Sequence, residues 1–122
     1  MEMICSDNNF LFAIIEKSTM NHIGNIKIGP INKFHNFADI SYFIGDRDSW
    51  GRGYATEAVK ALTEYSFKNL GLELIIAGVY QSNIGSQHVL KKTGYSLEGS
   101  ISNKFLNSNG VREDQLYYSI SK

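Results

Sequence analysis

The sequence predicts a mixed α+β domain, on three observations. The first 45 residues read as short strands, residues 54–68 carry apolar side chains at helical spacing, and the chain closes with two β-rich runs around Asn109-Gly110. In order, "FLFAIIEK" at 10–17 is a short apolar run, "STMN" supplies a turn, and "HIGNIKIG" at 22–29 places Ile23, Ile26 and Ile28 along a second strand. A third strand, "FADISYFIG" at 37–45, puts Ala38, Ile40, Tyr42 and Ile44 on one face and Phe37, Asp39, Ser41 and Phe43 on the other.

The period then changes. Ala55, Ala58, Val59, Leu62 and Tyr65 form the apolar stripe of a helix that Gly71 closes. "LELIIAGVY" at 72–80 is nearly continuous in apolar residues, the pattern of a central strand with helices covering both faces. Ser82 or Asn83 can cap a helix over 83–93, and Gly94 fits the left-handed position beyond its end. "SISNKFL" and "VREDQLYYSI" then form a hairpin with Asn109-Gly110 as its turn. Antiparallel pairing at both ends of the chain excludes a doubly wound parallel sheet.

A chain of 122 residues is the size of one domain, and residues 1–122 are read as one. With 43% hydrophobic and 20% charged residues, the composition is ordinary for a globular protein and suggests neither a disordered nor a fibrous class. Twelve basic and twelve acidic residues leave no net field to hold a nucleic acid or an anionic membrane. The apolar run from Phe10 to Ile15 is too short to span a bilayer, and no basic segment of a signal peptide precedes it. The lone Cys5 has no partner for an internal disulfide, which points to a reducing compartment and a cytoplasmic protein.

"SWGRGYATEA" at 49–58 sets two glycines at the entrance of a helix. Glycine there means either a positive φ or a close approach to the backbone; the first is only a turn, the second a binding site. First-turn amides have no partner inside a helix, and with the helix dipole they attract anions. Gly51, Arg52, Gly53, Tyr54, Ala55 and Thr56 therefore look like a pyrophosphate cradle, with the Thr56 hydroxyl as an extra donor. A dinucleotide-binding loop is a rival, since Glu73 stands about 20 residues on, but Thr56 occupies the third glycine position and the antiparallel start leaves too little chain for a parallel sheet. A Walker-type loop is excluded because the sequence holds no Gly-Lys-Ser or Gly-Lys-Thr.

"WGRGYATEAVKAL", followed by "LGLELIIAGV" and "NIGSQHVLKKTGY", resembles the GNAT superfamily of acetyl-CoA-dependent N-acetyltransferases, in the branch of the ribosomal-protein N-terminal acetyltransferases. The resemblance covers residues 10–120. It implies a mostly antiparallel mixed sheet with a splayed strand pair and flanking helices, and acetyl-CoA as acetyl-donor co-substrate. Gly51, Arg52, Gly53, Tyr54, Ala55 and Thr56 would wrap the pyrophosphate of coenzyme A. Phe43 and Ile44 would line the gap that takes the pantetheine arm, Asn83 would face that arm, and Ser86 would sit near the departing sulfur. Asp48 stands where many family loops have Gln or Arg, with Arg47 one place earlier, which bears on cofactor affinity. Family members usually carry a first strand and two helices, which help wall the acceptor site, ahead of the point where this chain begins, so the expectation is either a reduced form or fragment, or a partner subunit that closes the site.

Acetyl transfer requires a neutral amine, a polarised thioester and a proton for the thiolate. Asp39 is the candidate base, with Glu98 as a second carboxylate. The tyrosine that many family members use as acid, seven residues after the asparagine, is Leu90 here, so Ser86 is the candidate acid. Trp50 could pack on the cofactor or simply in the core, and Lys91 and Lys92 could meet its remote phosphate or simply be solvated. His22, His35 and His88 have no metal-ligand spacing with one another or with Cys5, so no metal is expected. The reading is an N-acetyltransferase acting on a primary amine, a peptide N-terminus or a small molecule, by direct attack in a ternary complex. An acetyl-CoA-binding module without independent activity is the alternative. Exposed terminal strands suit a homodimer.

Overall fold

The computed structural model describes residues 3–5, 8–45, 50–51 and 53–122. Seven strands and two helices follow in the order β1 (Met3–Cys5), β2 (Phe10–Ile15), β3 (His22–Ile28), β4 (Phe37–Ile44), α1 (Tyr54–Asn69), β5 (Leu74–Tyr80), α2 (Ile84–Lys92), β6 (Ser96–Leu106) and β7 (Arg112–Ser121). They form one sheet in the order β1-β2-β3-β4-β5-β7-β6. All neighbours are antiparallel except β4 and β5, which are parallel. The mixed, mostly antiparallel sheet expected from the sequence is the one found, with the short β1 as an addition.

Both helices pack on one face of the sheet, where their apolar residues complete the core. Ile26 and Ile28 of β3, Ala38 and Ile40 of β4 and Ile75 and Ala77 of β5 meet Ala58, Val59 and Leu62 of α1 and Leu90 of α2. This corrects the expectation that β5 is covered by helices on both sides. Ile75 and Ala77 are buried, whereas Gly78 and Tyr80 are exposed. The apolar run signalled a central strand, which β5 is, but its second face carries no helix among the described residues.

The punctuation follows the sequence closely. Asn83 caps α2, its side chain accepting from the Ser86 amide at 3.0 Å, so of the two residues that could cap, Asn83 does. Gly71 and Gly94 take positive φ just beyond the helices, at 68° and 99°. The last turn is wider than the two-residue hairpin expected. Asn107 N donates to Val111 O at 2.9 Å, and the Asn107 side chain accepts from the amides of Asn109 and Val111. That side chain closes the loop, so the strands stop at Leu106 and restart at Arg112.

Candidate active site

The site begins where the parallel pair stops being a pair. β4 and β5 are in register only from Phe37 opposite Leu74 to Asp39 opposite Ile76; β4 then runs on to Ile44 and β5 to Tyr80 without pairing. A gap of about 200 Å³ opens between them, lined by Ile40, Ser41 and Tyr42 on one side, Ala77, Gly78, Val79 and Tyr80 on the other, and Asn83, Ser86 and Leu90 at its floor. This is the splayed strand pair.

A larger cleft of about 580 Å³ shares Tyr42, Asn83 and Ser86 with the gap. Phe43 and Ile44 flank it from β4, Trp50, Gly51 and Gly53 from the loop, and Tyr54, Ala55 and Thr56 from the first turn of α1. Gly85, His88, Val89 and Lys92 close it from α2.

Local chemistry explains why the loop side is receptive. Gly51 and Gly53 have φ of 78° and 81°, a region that L side chains rarely adopt. Apart from the adjoining residues, no atom of the described residues lies within 4 Å of where a Cβ would stand on either, so the glycines shape the turn and leave room in front of it. Gly53 ends as the N-cap of α1, and no side-chain cap bond is made there among the described residues. The choice between a turn and an open approach is thus no choice, because the same glycines provide both.

Other contacts hold the cleft in shape. Trp50 Nε1 donates to Ile44 O at 2.7 Å, which ties the loop to the end of β4 and leaves the ring 58% exposed. The core role open to Trp50 in the sequence is therefore not the one it has. The Tyr54 hydroxyl donates to Glu16 Oε2, anchoring the start of α1 to the end of β2. Tyr42 donates to Ser86 Oγ at 2.9 Å, and burial pushes its hydroxyl above the ordinary tyrosine range, partly offset by that bond.

The structure thus brings together Phe43, Ile44, Trp50, Gly51, Gly53, Tyr54, Ala55, Thr56, Asn83, Ser86 and Lys92. Arg52, Arg47 and Asp48 lie outside the described residues. Asp39 lines neither cleft. It stands at the last paired rung before the gap, on the helix-free face that Ser41 shares, and partial burial raises its carboxyl above the usual range while Lys27 pulls it down. Glu98 lies farther off on β6, where it accepts from Ser119 Oγ at 2.7 Å. Lys91 is not on the cleft, and no cluster of metal-ligating side chains occurs among the described residues.

Four residues that line the larger cleft were not among the site residues read from the sequence: Tyr42, Gly85, His88 and Val89. Tyr42 was placed with the core face of β4, where a phenol must find a partner, and that need was the available signal. His88 falls on one helical face with Gly85, Val89 and Lys92, so the spacing of Lys92 pointed to it.

Comparison with known proteins agrees with this architecture. Residues 2–96 match the family described as acetyltransferase (GNAT) domain. The probable N-acetyltransferase YjcK of Bacillus subtilis is 38% identical over 114 residues, which cover 93% of this chain and 62% of that protein. The spermidine N(1)-acetyltransferase of Escherichia coli is 30% identical over 82 residues, 67% of this chain and 44% of that one. In fold, a dodecameric spermidine N-acetyltransferase from Vibrio cholerae matches with a TM-score of 0.85 at 25% identity, over 94% of this chain and 66% of that one. The chain spans less than two thirds of the length of either curated relative. With the glycine loop at the mouth of α1, the parted strands and this match over most of its residues, the chain belongs to the GNAT acetyltransferase family.

Proposed function

We propose that this chain binds acetyl-CoA and transfers its acetyl group to a primary amine by direct attack in a ternary complex. The observation that carries the proposal is the cleft of about 580 Å³, which joins the glycine-led N-terminus of α1 to the gap between β4 and β5. The fit to the donor lies in the residues themselves. Positive-φ glycines leave the α1 amides open to a pyrophosphate, Lys92 adds a cation, and the parted strands offer a slot for an extended arm. When bound, acetyl-CoA supplies a thioester whose acyl carbon is the electrophile.

The chain's own groups would then do three things. The cradle of Gly51, Gly53 and the first turn of α1 fixes the donor, so that orientation supplies much of the rate. Ser86 donates to the departing sulfur. Asp39, on the open face beside the gap, takes the proton of the incoming ammonium, and its raised carboxyl brings it nearer to that task. The acceptor is a small polyamine, as the names of the spermidine-acetylating relatives suggest, or a peptide N-terminus, as the branch resemblance suggests. A cytoplasmic location, resting on the lone Cys5, belongs to the same proposal, as does pairing of two copies through the exposed outer strand β6.

Calorimetric titration with acetyl-CoA tests the reading. Micromolar binding by the wild type, weakened at least about a hundredfold in Gly53→Glu, would support it, because that carboxylate enters the cradle and repels phosphate. Absence of binding by the wild type would refute it. A second reading, a cofactor-binding module that does not turn over alone, is favoured by the open face beside the gap. Phe43 and Tyr80 stand 67% and 48% exposed there, and no acceptor wall occurs among the described residues. Acetyl-CoA binding without acetylation of spermidine or of a peptide amine would select it.

A further inference from the structure

We infer that Tyr42 is a positioning residue for the transfer step, one that turns the single proton of the Ser86 hydroxyl toward the sulfur of coenzyme A. The inference rests on the proposed reading of the cleft and concerns a residue outside the family motif of the sequence. Tyr42 comes from β4 and Ser86 from the first turn of α2, and both line the cleft and the gap. Tyr42 donates to Ser86 Oγ at 2.9 Å. A serine hydroxyl has one proton and two acceptor lone pairs; with one lone pair engaged by tyrosine, the proton must point elsewhere.

Two further observations set that direction. The Ser86 amide is held by Asn83 Oδ1 at 3.0 Å, so the residue is pinned at its backbone and at its side chain. The Leu90 side chain, buried at the floor of the gap, carries no acceptor that could draw the hydroxyl inward. The proton is left to face the space between β4 and β5. Donation from tyrosine also polarises the serine O–H, so the pair is a better donor than serine alone. Burial keeps the Tyr42 proton in place.

As the carbon–sulfur bond breaks, its electron pair settles on sulfur and the Ser86 hydroxyl donates to it. The proton shed by the newly acylated nitrogen is the one that balances the thiol. Serine and tyrosine are unchanged at the end, so no other reactant is needed.

The product thiol reports on this arrangement without an acceptor or turnover. The thiol of free coenzyme A is an alkyl thiol with a pKa no lower than the ~8.5 of a cysteine, and a donor aimed at sulfur favours the thiolate. If the pair lowers that pKa by about one unit, coenzyme A should bind about five- to tenfold tighter at about pH 9.5 than at pH 7. Among the described residues, the other titratable groups around the two clefts are Tyr54 of α1, Tyr80 of β5 and His88 and Lys92 of α2, while Asp39 and Lys27 lie on the opposite face. They are present in every variant and cancel in the comparison.

Calorimetric titration of coenzyme A into the wild type, Tyr42→Phe and Ser86→Ala at both pH values is the experiment. Tightening in the wild type that disappears in both variants supports the inference. Tightening that survives in Tyr42→Phe but not in Ser86→Ala overturns the role of Tyr42 and leaves Ser86 as the donor. Equal tightening in all three, or none in the wild type, removes a donor at sulfur altogether. Loss of affinity at pH 7 in Tyr42→Phe makes the tyrosine structural and overturns the inference, and failure of the wild type to bind coenzyme A refutes the reading of the cleft beneath it.

Discussion

Thr63 Oγ1 and the Tyr95 hydroxyl lie 2.7 Å apart in the core, joining α1 to the segment that follows α2. The bond satisfies two polar atoms that would otherwise be buried without partners, so removing one should cost more than removing both. Tyr95→Phe is expected to destabilise the fold by about 1–3 kcal/mol, and Thr63→Val with Tyr95→Phe by less than the sum of the single changes. Urea unfolding measures this. Strict additivity would mean that the hydroxyls do not depend on each other.

The same pair should appear in the alkaline limb of stability. Burial, partly offset by the bond to Thr63, pushes Tyr95 up to about 12 from its ordinary 10.0. Between those values the unfolded chain has lost the proton and the folded chain has kept it, so stability falls as pH rises above about 10. Tyr95→Phe removes that dependence. A variant whose stability falls as steeply as the wild type's between pH 9 and 11 would show that the tyrosine is not responsible.

Glu113 works in the opposite sense at the other end of the scale. Its Oε1 accepts from the Ser82 amide at 3.0 Å and its Oε2 from Asn107 at 3.4 Å, so it braces the entry to α2 against the last hairpin. The Ser82 bonds hold its carboxyl below the ordinary 4.5, more than burial raises it, with Asn107 adding to the depression. Its contribution is therefore fully present above about pH 4.5 and is lost as pH falls through the lower folded value. Glu113→Gln should flatten the acid limb of a melting-temperature profile below about pH 5. An acid limb as steep as the wild type's would assign it to other carboxylates.

These pairs also show where the sequence stops being legible. Elements could be read from it because period and punctuation are local, as at Ile26 and Ile28 along β3 or Asn83 and Gly94 around α2. The glycine loop was legible for the same reason. Tyr42 with Ser86, Thr63 with Tyr95 and Ser82 with Glu113 each join residues more than 30 positions apart, and no periodicity carries such a bond. The covering of β5 was misread because an apolar run specifies burial demand but not what meets it. Ile76, facing away from the helices, stays half-buried.

Asn83 links stability to the site. Its side chain caps the first turn of α2, and the amide it holds is that of Ser86. Asn83→Ala is expected to cost about 1 kcal/mol in urea unfolding, the ordinary loss of an N-cap. Asn83→Asp, which keeps the acceptor, should recover most of it. If Asn83→Asp is as unstable as Asn83→Ala, the cap is not what the residue contributes.

Glycines in this chain answer to two different constraints, and substitution separates them. At Gly24 of β3 an added Cβ would run into the carbonyl oxygen of Phe43 and come within 3.0 Å of Ile44 Cα, backbone atoms that cannot step aside. Gly24→Ala should destabilise by about 2 kcal/mol or more, through overpacking between paired strands. At Gly53 no atom of the described residues beyond its neighbours stands within 4 Å of an added Cβ, and the φ of 81° is what opposes a side chain there. Gly53→Ala should cost about 1–2 kcal/mol from backbone strain, and Gly53→Asn less, because asparagine tolerates the left-handed region. Asparagine nevertheless places a side chain in front of the α1 amides, so acetyl-CoA affinity should fall in a variant whose stability is nearly preserved. Urea unfolding and calorimetry on the same Gly53→Asn sample measure both. Preserved stability with undiminished affinity would make Gly53 a residue of the turn alone and move the anion site elsewhere.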